Sequence, residues 1–380
     1  MIKRVFPILA ISIFSCMLGS GIVIPLLPLY AVSLGASGLW LGVIFASFPI
    51  SRSLVTPVFG RISDRKGRKL FISVGLFAYG IISFGFIFVN TVSQLVLIRL
   101  LHGVAGALIL PIAQAYVGDI SPPGEEGKWM GYTNAAFFSG FGFGPLMGGV
   151  LSEHLGINTA FIAMGGLSLL AFVITIFFLP EITPKQSATS YPSFRDMSRS
   201  GMMNGLFTFR LALTLGRSIF FIFLPILAAG NLGLRSSLIG VLLAIHILFM
   251  SLLGIPFGRI ADRVSRRFLV VSGGLISSVF LVAVPLGQNF GLLLALAVLG
   301  SVGSAIAVPA ASALVVEEGR KYGMGFSVAL FSMALSIGMT VGPIVGGAIA
   351  DFVGINSAFY FGAVMTLLGA GLFTWLSRRR

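Results

Sequence analysis

Apolar runs long enough to cross a lipid bilayer follow one another along the whole of this sequence. A membrane-spanning helix needs roughly 20 apolar residues. Runs of that length are predicted at about 6–32, 39–59, 70–89, 92–117, 127–151, 159–179, 204–229, 236–257, 268–286, 291–316, 325–350 and 357–376. With 57% apolar and 9% charged residues, the chain lacks the polar surface that a soluble globule requires. The first run is too long for the apolar core of a signal peptide, so a retained helix is expected there.

The net charge of +14 invites a nucleic-acid reading, but the placement of the charges argues against it. Twenty of the 25 basic residues fall at the termini and in alternate loops, whereas the opposite loops carry one, Arg235. This asymmetry follows the positive-inside rule and predicts both termini in the cytoplasm. The single cysteine, Cys16, lies in the first apolar run, so neither a disulfide framework nor a thiol metal site is expected.

A charged stretch at 60–69 returns at 258–267, and the offset of 198 recurs elsewhere. It relates Asp64 to Asp262, Pro111 to Pro309, Gly144 to Gly342, Gly156 to Gly354 and Phe161 to Phe359. One offset without slippage means two homologous halves with nearly identical loop lengths. The expected organisation is an N-terminal six-helix bundle over 1–182, a cytoplasmic linker over 183–203 and a C-terminal six-helix bundle over 204–380. An even number of spans per half leaves both repeats in one orientation.

The stretch 60–69 reads G-x-x-x-D-R-x-G-R-K, and with it the chain resembles a major facilitator superfamily transporter, in particular the twelve-span drug:proton antiporters. The resemblance covers nearly the whole chain. It implies an all-α membrane protein of twelve transmembrane helices in two pseudo-symmetric bundles around a cavity. It also implies that Gly60, Asp64, Arg65, Gly67 and Arg68 form a cytoplasmic gate, joined by Asp119 and, in the second copy, Asp262. The glycines are expected to permit a tight turn, and the ion pairs to break and reform between conformations. In the second copy Ser265 stands where the first has Gly67.

Helix 4 carries Arg99, His102 and Gly103, similar to the family's R-x-x-x-G motif, whose arginine is linked to proton transfer. His102 is read either as a coupling residue or as a hydrogen-bonded packing residue. Gly140, Gly144, Pro145, Gly148 and Gly149 resemble the helix 5 signature of the family's antiporters. Their spacing also permits close helix packing, and its repeat on helix 11 weakens the antiport reading. On helix 1, Gly19, Gly21, Pro25 and Pro28 are similar to the drug:proton antiporter pattern, and prolines can kink such a helix.

Arg217 lies near the middle of helix 7, opposite Gly19 in the repeat, and Arg52 lies on helix 2 about 12 Å of helix rise before Gly60. In the family, helices 1, 4, 7 and 10 line the cavity. All eleven acids fall at loops or helix ends. The lack of an intramembrane acid weighs against the simplest cationic-drug exporter, and the arginines suit an anionic, zwitterionic or neutral substrate.

No enzyme, nucleotide or metal motif is found, so neither catalysis nor a cofactor is expected, and the energy must come from a gradient. The favoured reading is a secondary transporter: proton-coupled efflux of small amphipathic compounds, multidrug-like, by a monomer in a prokaryotic inner membrane. One alternative is a transporter of a specific organic anion or other metabolite using Arg217 and Arg52. Another is a non-transporting sensor or scaffold. The expected partners are the bilayer, a small-molecule substrate and protons, with no nucleic acid.

Overall fold

The computed structural model describes residues 2–122, 125–182, 200–322 and 324–378. Among them twelve helices are long and apolar enough to span a membrane. Helix 1 is Ile2–Val23, prolonged beyond a turn by a short helix, Leu26–Ser33. Helices 2 to 6 are Gly38–Lys66, Arg68–Gly85, Val92–Ile120, Glu126–Leu155 and Ile157–Phe178. Helices 7 to 12 are Gly201–Leu232, Ser236–Ile260, Arg266–Ala283, Phe290–Tyr322, Met324–Phe352 and Ile355–Leu376. Of the expected linker, 183–199 lies outside the described residues, and helix 7 begins at Gly201.

Three local expectations are corrected. Helix 1 is not continuous over 6–32: it breaks at Ile24 and Pro25, where the proline nitrogen has no hydrogen to donate. Helix 2 does not stop at Phe59 but runs two turns further, so 60–66 are helical and Gly60 lies inside the helix rather than in a turn. The apolar run ends where the membrane would end, whereas the backbone hydrogen bonding continues. Glu153 and His154, expected outside helix 5, occupy its last turn.

The helix pairings repeat with the sequence. Helix 1 packs on 4, 5 and 6, as helix 7 packs on 10, 11 and 12; helix 3 packs on 4 and 6, as helix 9 packs on 10 and 12. Two compact units result, each described by itself. The first contains Met1–Ala36, the rest of the N-terminal half from Ser47 onward, and Arg235–Ala244 of helix 8. The second contains Ser37–Ala46 of helix 2, helix 7, and the remainder from Ile245. Helices 2 and 8 thus each give their first turns to the other unit.

Within the first unit, Glu153 Oε2 accepts a hydrogen bond from the backbone N–H of Ser237 at 3.2 Å, at the start of helix 8. Within the second, Asp351 accepts from the N–H groups of Gly38 and Leu39, at 2.6 and 2.8 Å, at the start of helix 2. Glu153 and Asp351 are 198 apart, as are Leu39 and Ser237. A carboxylate there satisfies N–H groups that have no partner within their helix and faces the positive end of the helix dipole.

Candidate functional site

The charged motif is built around one arginine. Arg68 is 6% exposed, and its guanidinium pairs with Asp119 at the end of helix 4, with Asp64 Oδ1 at 2.9 Å, and with Ser63 Oγ at 3.4 Å. Gly67, between helices 2 and 3, has φ +92°, a region that favours glycine, and a Cβ there would strike the Glu181 carboxylate at 2.4 Å. The tight turn expected of the motif therefore belongs to Gly67 alone. A Cβ at Gly60 would meet open space, and Arg65 is exposed.

The second copy reproduces this arrangement. Arg266 pairs with Glu317 at the end of helix 10 and with Asp262 Oδ1 at 3.3 Å, and its Nε donates to the Ala261 carbonyl at 3.1 Å. Arg266 and Glu317 are the +198 counterparts of Arg68 and Asp119, so the offset that located Asp262 could have located both. Where Gly67 is replaced, Ser265 takes an ordinary φ of −53° and caps helix 9, its hydroxyl accepting from the Phe268 N–H at 3.5 Å. Burial differs between the copies: the Arg266 side chain is 26% exposed, against 8% for Arg68.

In helix 4, a Cβ at Gly103 would lie 2.4 Å from the Phe48 carbonyl and 2.0 Å from Ser51 Oγ. The glycine lets helix 2 approach closely, and Ser51 Oγ donates to the Leu100 carbonyl at 2.8 Å. That approach sets the Phe48 ring under Arg99, whose guanidinium carbon lies 4.8 Å from the ring centroid. His102 is 1% exposed, stacks on Tyr79 at 4.3 Å, and brings Nε2 to 3.1 Å from Ser83 Oγ and 3.3 Å from the Tyr79 carbonyl. These contacts engage Nε2, while Nδ1 is buried with no hydrogen-bond partner.

The glycines of helix 5 face helix 1. A Cβ at Gly140 would meet the Phe14 carbonyl at 2.4 Å, one at Gly144 the Gly21 Cα at 2.4 Å, and one at Gly148 the Ile22 carbonyl at 2.2 Å. Gly149 meets Ser236 in the same way, and Pro145 lies within the helix. Cβ atoms at Gly338 and Gly342 would likewise meet the Leu211 and Leu215 carbonyls of helix 7, at 2.7 and 2.8 Å, whereas Gly346 faces the Ile219 and Phe223 side chains. The motif thus serves backbone contact in both units.

Arg217 and Arg52 are half-buried, one in each unit. Arg217 Nη1 donates to Met250 Sδ at 3.5 Å. Position 250 is the +198 counterpart of Arg52, and position 217 that of Gly19, so each unit holds one cation at this place in the repeat, carried by a different helix. Arg210, not singled out from the sequence, lies on helix 7 two turns before Arg217, with its guanidinium carbon 4.9 Å from the Phe331 centroid. Among the described residues no His, Cys, Asp and Glu cluster could hold a metal ion.

A family model described as Major Facilitator Superfamily matches residues 9–215 and 206–380, one match for each half. The chain belongs to this superfamily. Along 100% of its length it is 30% identical to the uncharacterized MFS-type transporter MJ1560 of Methanocaldococcus jannaschii, of which it covers 99%. It is 28% identical over 97% of its length to the quinolone resistance protein NorA of Staphylococcus aureus, covering 95% of that protein. The crystal structure of a bacterial homolog of the human lysosomal transporter Spinster superposes with a TM-score of 0.87 at 14% identity, covering 99% of this chain and 97% of that one. This last likeness shows the major facilitator fold. Membership makes the protein a multi-pass membrane transporter of a small molecule.

Proposed function

We propose that this superfamily member exports small amphipathic compounds in exchange for protons, by alternating access, as a monomer in a prokaryotic inner membrane. The observation that carries the reading is its near full-length likeness to a quinolone resistance protein. Both termini and both charged motifs face the cytoplasm, as the distribution of basic residues favours. The Arg68 and Arg266 networks tie the ends of helices 2, 3 and 4, and of 8, 9 and 10, into rigid bodies that can rock. Asp64 is half-exposed and exchanges partners during that movement, and Arg99 on its Phe48 platform takes part in coupling.

The half-buried arginines favour a second reading, a dedicated transporter of an organic anion, with Arg217 in one unit and Arg52 in the other as the binding candidates. The two differ in cells. Under the first, expression lowers accumulation of a lipophilic fluorescent dye and of a fluorescent quinolone, and either Asp64→Asn or a protonophore abolishes the effect. Unchanged accumulation at matched expression would rule the first reading out and leave the second.

A further inference from the structure

Helix 7 holds two arginines, Arg210 and Arg217, and the unit to which they belong places no described acid beside either. Seven residues is about two helical turns, so the side chains share a face roughly 10 Å apart along the axis. The Arg266 ion pairs of this unit sit at its charged end, away from the middle of helix 7. In place of carboxylates, Arg210 has the ring of Phe331 and Arg217 the sulfur of Met250. Arg210 Nε is buried with no hydrogen-bond partner. A guanidinium at such depth is expensive and is retained where a cavity, a partner or a ligand compensates it.

A third group stands near Arg217. His246, one turn from Met250 on helix 8, is 1% exposed and packs against Phe220 and Phe221, which follow Arg217 on helix 7. Its Nδ1 lies 3.1 Å from the Ala297 carbonyl, to which it donates, and its buried Nε2 has no partner. In the neutral ring that nitrogen is an acceptor. Around Arg217, therefore, a buried acceptor without a partner sits among the rings of Phe220, Phe221 and Phe280.

We infer that Arg210 and Arg217 form an anion seat, and that the exported amphipathic compounds include acids whose carboxylate binds there. The inference rests on the export reading for its direction of transport, but the seat itself is a statement about binding. A carboxylate pairs with guanidinium groups through charge-assisted hydrogen bonds, which carry most of the preference for an acid over its neutral amide. The aromatic surroundings then hold the apolar body of the ligand without demanding one shape.

The test is equilibrium binding of dansylglycine and of its uncharged amide to the purified full-length protein in detergent, read by dansyl fluorescence. The two probes share a ring system and a sulfonamide N–H and differ in the acid. The wild type is expected to bind the acid at least about tenfold more tightly than the amide. Arg210→Gln and Arg217→Gln each reduce that ratio severalfold through the acid alone, and Arg217→Lys retains part of it. Equal wild-type affinities, no binding of the acid, or an unchanged ratio in both glutamine variants would overturn the seat. The wild-type comparison decides even if a variant fails to fold. Failure of the export reading shows separately, as absent dye efflux with the acid preference intact.

Discussion

Arg68→Gln is expected to cost about 3–5 kcal/mol of stability, whereas Arg266→Gln, at the equivalent place in the repeat, costs about 1 kcal/mol or less. The difference follows from burial. The Arg68 side chain is 8% exposed and that of Asp119 12%, so removing the guanidinium strands a carboxylate out of water. Asp262 and Glu317 are 71% and 51% exposed and would be solvated after the same change. Thermal denaturation in detergent measures both. Asp119→Asn in the Arg68→Gln background is expected to recover much of the loss, because the stranded charge is then gone. Equal melting temperatures for Arg68→Gln and Arg266→Gln would contradict this account of the motif.

The second large effect is at the contact of helices 1 and 5. Gly148→Val drives a Cβ to 2.2 Å from the Ile22 carbonyl and 2.9 Å from the Ile22 Cα, backbone atoms that cannot rotate away. Overpacking of this kind costs typically 1–3 kcal/mol, and backbone opposition places this case at or above the top of that range. Loss of folded protein in membranes is the expected result. Gly131, on the same helix, is a built-in control, since a Cβ there meets nothing within 4 Å. Gly131→Ala should therefore raise stability by up to about 1 kcal/mol through helix propensity. If both substitutions were neutral, helix 5 would not press on helix 1 as described.

Much of the fold was legible because bilayer-spanning helices announce themselves by length and hydropathy, and because the repeat supplies a second reading of every position. Missed features lie where those two signals are silent. The two extra turns of helix 2 are charged, and hydropathy reports where the lipid ends rather than where backbone hydrogen bonding ends. Asp351 capping helix 2 and Glu153 capping helix 8 pair residues far apart in sequence, a contact that periodicity cannot contain. Arg266 and Glu317 were within reach of the 198 offset, since both members of the first pair were already recognised. Arg210 lies inside the apolar run at 204–229, but its neighbour Phe331 is on helix 11, a contact that periodicity does not reveal.

At the site, the sequence supplied the residues but not their partners. Arg99, His102 and Gly103 were visible as a pattern on helix 4. That Gly103 serves to bring Phe48 under Arg99, while His102 Nε2 meets Ser83 and the Tyr79 carbonyl, depends on helices 2 and 3. The small-residue stripe of helix 5 illustrates the converse. Its repetition on helix 11 already suggested packing, and the backbone contacts in both units show what is packed.

Proton-driven export can be measured with the purified protein reconstituted into liposomes carrying an imposed pH gradient and a fluorescent amphipathic substrate. Substrate is expected to move against its own gradient into the acidic lumen through molecules whose cytoplasmic face lies outward. A protonophore should stop the movement, and Asp64→Asn should prevent it. Accumulation that ignores the pH gradient, or that persists in Asp64→Asn, would contradict proton-driven export.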